Sequence, residues 1–401
     1  MSSSLLVQPT VNVGIVGHVD HGKTTLTKLF SGKWTDTHSE EVKRGITIKL
    51  GYTNFIVYKD KEKFSVSSGE PIRKFSIVDA PGHESFMATM ISGAAVMDYA
   101  LLVVAADEKC PQPQTIEHLK TLEIAGIKKI IVVQNKIDNV SKEDALKNYK
   151  EIVDFLDKTT YKDSKIIPIS AQHSANLSSL LKEIVETFDE PQRNLEKTPL
   201  MNIVRSFDVN KPGSSYDILK GGILGGSVKQ GVFKVDDEIE IKPGIMEQKE
   251  GKVTYQTIYA KILALKSDKD SIESAVPGGS IAIMTGLDPF LTKADTLVGQ
   301  IAGSKGTLPE PTSEIVFSIN LFDKIVTSTK EYEVKPIILN EAFMLIVNSM
   351  TTVGIITKAN PKEATIKLKR PVMAFDGDRA VLFRRFEGNK WRSIGYGVVK
   401  V

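Results

Sequence analysis

A single cysteine, Cys110, stands in 401 residues. One thiol can neither close an intrachain disulfide nor assemble a cysteine cluster for zinc within the chain, which suits a reducing compartment. Cys110 precedes Pro111 just after the apolar stretch 99–105, where a packing or neutral surface role is expected rather than reactivity. No apolar stretch reaches the length that crosses a bilayer, and residues 1–9 lack a basic segment followed by an apolar core. Neither a membrane partner nor a secretory leader is expected, so the chain reads as soluble and cytoplasmic. Charge of one sign is also scarce: 52 Lys and Arg against 49 Asp and Glu leave a formal +3. Bulk electrostatics therefore announce no nucleic-acid binder, and only a local patch can. The length exceeds one ordinary core and implies two to three domains.

Against these absences stands one dense motif. The apolar run 11–16 leads into Gly17-His18-Val19-Asp20-His21-Gly22-Lys23-Thr24 and then into a helical pattern. Strand, glycine-rich turn and helix in that order cradle phosphates, with backbone N–H groups facing the anion, Lys23 as a cation and the Thr24 hydroxyl for magnesium. A second strand end follows at Asp79-Ala80-Pro81-Gly82-His83-Glu84. Asp79 there can hold magnesium through water, and the Gly82 N–H can bond a terminal phosphate present only before hydrolysis. A third strand runs into Asn135-Lys136-Ile137-Asp138. The Asp138 carboxylate can accept both the ring N–H and the exocyclic amine of guanine, a donor pair that adenine lacks. A fourth ends in Ser170-Ala171-Gln172, where the Ala171 N–H can reach the guanine carbonyl. Between the first two blocks, the polar segment 40–48 carries Thr47, suited to completing a magnesium shell and to ordering by the terminal phosphate. The ordered set implies an α/β, P-loop GTPase domain with a mostly parallel sheet and its ligand at the carboxyl ends of the strands.

Helical patterns at 114–124, 142–156 and 177–188 alternate with strands up to about Phe188, and the proline-punctuated stretch 189–199 reads as a linker. Short glycine-rich strands at 202–208, 223–228, 238–241, 252–258 and 280–283 then suggest a β-barrel. After a break near 303–311 comes a third domain, a second β-barrel. The expected divisions are 1–198, 199–308 and 309–401. In the last, Lys367, Lys369, Arg370, Arg379, Arg384, Arg385, Lys390 and Arg392 interleave with Phe383, Phe386 and Trp391. That mixture suits phosphate contacts and base stacking, and equally a solvated barrel face with its aromatics turned inward.

With these blocks in view, the chain resembles the translational GTPases and, among them, the gamma subunits of archaeal and eukaryotic translation initiation factor two. The resemblance covers essentially the whole length. It is carried by residues 43–52 (Lys43 to Tyr52), 86–95 (Phe86 to Ala95), and 205–213 with 219–226, strings that distinguish this group from elongation factors. It implies a GTPase domain followed by two β-barrel domains, with GTP, GDP and Mg²⁺ as ligands. The implied nucleotide set is Val19, Asp20, His21, Gly22, Lys23, Thr24, Thr25, Gly82, Asn135, Lys136, Asp138, Ser170, Ala171 and Gln172. Thr24, Thr47 and Asp79 serve magnesium, with Asp20 and the Gly45 carbonyl as further ligands, and His83 orients the attacking water. Implied partners are alpha and beta subunits, methionylated initiator tRNA and the small ribosomal subunit; the basic stripe, not the resemblance, offers Arg384 and Arg385 as candidate tRNA contacts. Zinc is not expected: where many gamma subunits carry a four-cysteine knuckle, residues 55–73 hold Lys59-Asp60-Lys61-Glu62-Lys63 and no cysteine, which reads as a charged hairpin. The absence of a long N-terminal extension points to an archaeal member. An elongation-type factor delivering aminoacyl- or selenocysteinyl-tRNA is the alternative.

Overall fold

The computed structural model describes residues 7–34, 47, 49–211, 213, 215, 219–250, 252–326, 331–386 and 390–400. The chain forms two compact units, residues 1–192 with 278–280, and residues 193–277 with 281–401.

In the first unit, the uninterrupted apolar runs 11–17, 99–105 and 130–135 are buried along nearly their whole length, as a helix-covered sheet requires, while 51–60 alternates and 63–65 and 165–168 stay partly exposed; together with 70–79 they make seven strands. These are β1 (Val11–Gly17), β2 (Gly51–Asp60), β3 (Lys63–Ser65), β4 (Glu70–Asp79), β5 (Tyr99–Ala105), β6 (Ile130–Asn135) and β7 (Lys165–Pro168). They are ordered β3-β2-β4-β1-β5-β6-β7. The five strands from β4 to β7 in that order run parallel, whereas β2 pairs antiparallel with both β4 and β3. Helices α1 (Lys23–Ser31), α2 (Met87–Ala94), α3 (Pro113–Ala125) and α4 (Lys142–Leu156) connect successive strands, and α5 (Leu177–Thr187) follows β7. Helix α4 starts where the sequence says it should: Ser141 Oγ accepts from the Asp144 N–H, and Glu143 and Asp144 sit in the positive first turn. Packed into the core are Val13, Ile15, Phe75, Ile77, Leu101, Val103, Ile131 and Val133, all 0–1% exposed. With β1 central, the carboxyl ends of β1, β4, β6 and β7 bring the four motif blocks to one edge. The charged stretch 59–63 is the turn of the β2–β3 hairpin, closed at Asp60↔Lys63. Cys110 is buried, and burial pushes its thiol up to about 12, so it packs and is neither a surface group nor a ready nucleophile.

The second unit holds two closed barrels. The first contains β8 (Leu200–Phe207), β9 (Ile223–Gln230), β10 (Phe233–Lys234), β11 (Glu238–Lys249), β12 (Lys252–Ser267), β13 (Asp270–Ile272), β14 (Ser274–Ala275), β15 (Ile281–Thr285) and β16 (Ile301–Ser304). Six of these, β11-β16-β8-β9-β15-β12, close through the β11–β12 pairing. The second contains β17 (Thr312–Ser318), β18 (Asn320–Leu321), β19 (Lys324–Val326), β20 (Glu331–Glu333), β21 (Ala342–Val347), β22 (Met350–Ala359), β23 (Glu363–Val372), β24 (Arg379–Phe386) and β25 (Lys390–Lys400). Here β17-β23-β22-β21-β24-β25 close through β17–β25. On β22, buried and exposed residues alternate from Met350 to Thr357, the pattern of a strand with one face on a barrel core.

Two buried charges fasten the segment joining the barrels. Glu240 Oε1 accepts from the N–H groups of Thr307 (2.8 Å) and Leu308 (2.6 Å). Lys242, on the same face of β11, donates to the Leu308 carbonyl at 3.0 Å and to Glu310 at 2.8 Å. Between them they satisfy the N–H and the carbonyl of the buried Leu308, groups that would otherwise lack partners. Glu240→Leu is expected to cost about 1–3 kcal/mol, since it leaves the buried Leu308 N–H without its acceptor, whereas the Thr307 N–H keeps the Ser304 carbonyl and Lys242 keeps Glu310. Glu240→Gln, which keeps a carbonyl acceptor, should cost clearly less. Urea unfolding of the two variants checks the order; equal losses would contradict it.

Candidate functional site

The phosphate loop follows β1 and ends in α1. Gly22 has φ 93, and a Cβ there would lie 2.3 Å from Asn135 Nδ2, so both conformation and space restrict the position to glycine. A cleft of about 230 Å³ opens on the loop, lined by Val19, Asp20, Gly22, Lys23, Thr24, Thr25, Trp34, Thr47, Gly82 and His83. The first, second and intervening blocks of the sequence thus meet in one place. Lys23 is buried and its Nζ donates to the His18 carbonyl at 2.5 Å. Gly82 leaves the room this needs: a Cβ on it would be 2.4 Å from Lys23 Nζ. Thr24 Oγ1 and Thr47 Oγ1 lie 3.2 Å apart. Asp79 is wholly buried at the end of β4. His83 Nδ1 accepts from the Ser85 N–H at 3.2 Å. Gly45 lies outside the described residues, as does most of the segment 40–48.

The third and fourth blocks join the loop through Asn135. Its Nδ2 donates to the His21 carbonyl at 2.9 Å, and its Oδ1 accepts from the Ala171 N–H at 2.9 Å. One buried amide thereby ties three loops. The Ala171 N–H, expected to face a guanine carbonyl, already has a partner inside the protein. Asp138 is held below the usual carboxylate range, first by a hydrogen bond from Ser170 and further by His173, whose Nε2 is 3.6 Å away. It is therefore an ionised acceptor at neutral pH. Lys136 takes a left-handed conformation (φ 61), with its ammonium 3.5 Å from Asp107, which also accepts from Asn139.

Sequence reasoning missed Asp107, His173, Trp34 and His118, and it named His21 without foreseeing that its ring lies buried behind the loop. His21 is 1% exposed, with Nδ1 3.1 Å from the Val103 carbonyl and Nε2 3.4 Å from Glu108. Burial lowers its pKa to about 4, more than the Val103 bond and Glu108 raise it. His118, wholly buried, is lowered well below 6.5 by the same cause. Because the folded state resists protonation that the unfolded chain accepts, the unfolded state binds more protons below about pH 6.5. Stability should be full above that pH and fall as pH drops toward 4. A denaturation midpoint unchanged between pH 7 and pH 5 would contradict this.

Near the barrel end of the chain, Arg384 and Arg385 differ. Arg384 donates to the carbonyls of Lys335 (2.7 Å) and Pro336 (3.0 Å) and pairs with Glu341 at 2.6 Å. Arg385 is exposed, its guanidinium 4.9 Å from the Trp391 ring centre.

Among the described residues no helix is long and apolar enough to cross a membrane. Residues 8–190 match the elongation factor Tu GTP binding domain family, and residues 313–399 match the C-terminal family of initiation factor eIF2 gamma. The chain is 48% identical to translation initiation factor 2 subunit gamma of Methanopyrus kandleri, over 100% of both chains. It is 49% identical to the same subunit of Methanococcus maripaludis, over 98% of each. Among solved structures, it resembles translation elongation factor SelB of Methanococcus maripaludis, crystallised with the GTP analogue GppNHp, at a TM-score of 0.73 and 25% identity. That match covers 99% of this chain and 80% of the other. A bacterial selenocysteine-specific elongation factor gives a TM-score of 0.75 at 24% identity, over 98% of this chain and 58% of that one, a likeness of fold. Identity to the initiation factors is about twice that to either elongation factor, which sets the elongation-type alternative aside. A GTP-binding domain, two closed barrels and full-length identity near one half establish that the chain belongs to the gamma-subunit family of translation initiation factor 2, GTPases that act in the initiation of protein synthesis.

Proposed function

We propose that this cytoplasmic chain, with GTP bound, carries methionylated initiator tRNA to the small ribosomal subunit as the gamma subunit of a heterotrimer with alpha and beta subunits. Hydrolysis then permits release. The domains are 1–198, 199–308 and 309–401. The observation that carries this reading is the 3.2 Å approach of the Thr24 and Thr47 hydroxyls. One belongs to the phosphate loop and the other to the segment 40–48, so a ligand that gathers both transmits nucleotide state to that segment. Two neighbouring ligands of octahedral magnesium, each at about 2.1 Å, stand about 3 Å apart, a spacing the hydroxyl pair fits. Thr24 and Thr47 would hold the ion directly and Asp79 through water, with Asp20 and the Gly45 carbonyl as further ligands. When bound, the ion supplies positive charge to the terminal phosphates.

The residues of the chain do the rest. Val19 to Thr25 and the Gly82 N–H hold the phosphates, and Lys23 meets charge developing on the transferred group. Asn135 and Lys136 frame the base, the ionised Asp138 selects guanine, and Ser170 holds Asp138 in place. With the Ala171 N–H engaged by Asn135, the Gln172 N–H is the stronger candidate to meet the guanine carbonyl. Because His83 Nδ1 accepts from Ser85, a neutral ring carries its proton on Nε2 and donates to the water oxygen instead of removing its proton. His83 thus orients the water.

For tRNA, the exposed Arg385 beside Trp391 suits phosphate contact and stacking, whereas Arg384 is committed to Glu341 and two carbonyls. Arg385→Gln should weaken tRNA binding and reduce the slope of log affinity against log salt by about one. Arg384→Gln should chiefly lower stability. An Arg385 variant with unchanged slope would return that stretch to a solvated barrel face. Filter binding of initiator against elongator aminoacyl-tRNA tests the function as a whole: preference for the initiator is expected, and none would contradict it.

A further inference from the structure

On the inner face of α3, Gln114, Thr115 and His118 are buried polar residues beside Leu119 and Leu122. Burying such groups costs free energy unless something is gained. For His118 the gain is visible: its Nδ1 accepts from the Gly17 N–H at 2.8 Å. Gly17 ends β1 and opens the phosphate loop. It has φ 140, and a Cβ on it would stand 2.3 Å from the Val103 carbonyl oxygen. The first residue of the loop is thus held between the β5 backbone on one side and the His118 ring on the other.

We propose that His118 is a positioning residue that holds the phosphate loop in its nucleotide-binding form through the Gly17 N–H···Nδ1 bond. The inference rests on the reading of residues 17–24 as the phosphate loop. A leucine would fill the same space without burying Nε2, which has no partner among the described residues. What the histidine adds is an acceptor. Burial, with Lys23, His18 and His21 nearby, keeps the ring neutral, as an Nδ1 acceptor must be. The bond matters most when nucleotide is bound. A free loop can shift until the Gly17 N–H finds water, but a loop whose following N–H groups are fixed on phosphates cannot. Loss of the acceptor therefore falls on the nucleotide complex more than on the fold.

The test uses the full chain with fluorescent GDP as probe. His118→Leu should release GDP about 10-fold faster or more, the scale of one buried donor left unpaired. His118→Asn, whose carbonyl oxygen takes the place of Nδ1, should stay within about threefold of wild type, since it restores the acceptor. In wild-type protein, NMR should detect a coupling across the hydrogen bond between the Gly17 amide nitrogen and His118 Nδ1. This holds whether or not the leucine variant folds. A missing coupling, a leucine variant with wild-type release, or an asparagine variant as impaired as leucine would each overturn the proposal for His118. Failure of wild-type protein to bind GDP would instead overturn the phosphate-loop reading itself.

Discussion

Asp138→Asn is expected to weaken GTP binding by on the order of 10²–10⁴-fold, the loss of two hydrogen bonds to a charged acceptor. The same change should bring a gain for xanthosine triphosphate. Guanine offers a ring N–H and an amine to the carboxylate; xanthine has a carbonyl where the amine stood, and an asparagine amide can donate to it. The proposed contact rests on this discrimination. Ser170 and His173 hold the Asp138 side chain ionised, so an unpaired base edge would leave a charge without its donors. Competition of the two triphosphates for wild type and variant measures the switch. A variant that keeps wild-type GTP affinity would remove Asp138 from base recognition.

His83→Ala should leave GTP affinity within a few-fold and slow ribosome-stimulated hydrolysis by about 10²-fold or more, the usual scale for a side chain acting on a proton-bearing nucleophile. The residue lines the phosphate cleft together with Lys23, Thr24, Thr47 and Gly82, far from the base-recognition residues in sequence and on a different loop. Since its Nδ1 is occupied by the Ser85 N–H, the ring can orient water through Nε2 but holds no phosphate contact that binding would need. Single-turnover hydrolysis alongside equilibrium binding separates the two effects. Hydrolysis at the wild-type rate would exclude His83 from the mechanism, and parallel losses of both would indicate a folding role.

The convergence of the first and second motif blocks on one cleft was legible because each block is local in sequence. Each block sits at the end of an apolar strand, and strand ends of a parallel sheet converge whatever lies between them. What escaped depends on pairing across long separations. Nothing near Gly17 announces His118, about a hundred residues on, although three polar residues on the apolar side of α3 were a readable warning. The Ala171 N–H looked available because its partner, Asn135, lies on another strand. In the first barrel, the strands read from sequence stopped at Ile241, just before Lys242-Pro243-Gly244, and at Ile258. In the fold β11 runs on to Lys249 and β12 to Ser267, the irregularity being absorbed by a register shift between Ile241 and Ile245. That bulge lets the pair continue and close the barrel. Closure itself, β11 on β12 and β17 on β25, is a property of strand order that alternation alone does not encode.

A nucleotide-gated carrier must bind its cargo unequally in its two states, and linkage makes the inequality reciprocal. The direct measurement is the affinity of methionylated initiator tRNA for the assembled factor with a non-hydrolysable GTP analogue and with GDP, together with the affinity of each nucleotide with and without tRNA. The tRNA should bind about 5- to 150-fold more tightly in the GTP-like state, and should tighten the analogue over GDP by the same factor. Equal tRNA affinity in the two nucleotide states would contradict the carrier function, whatever the rate of hydrolysis.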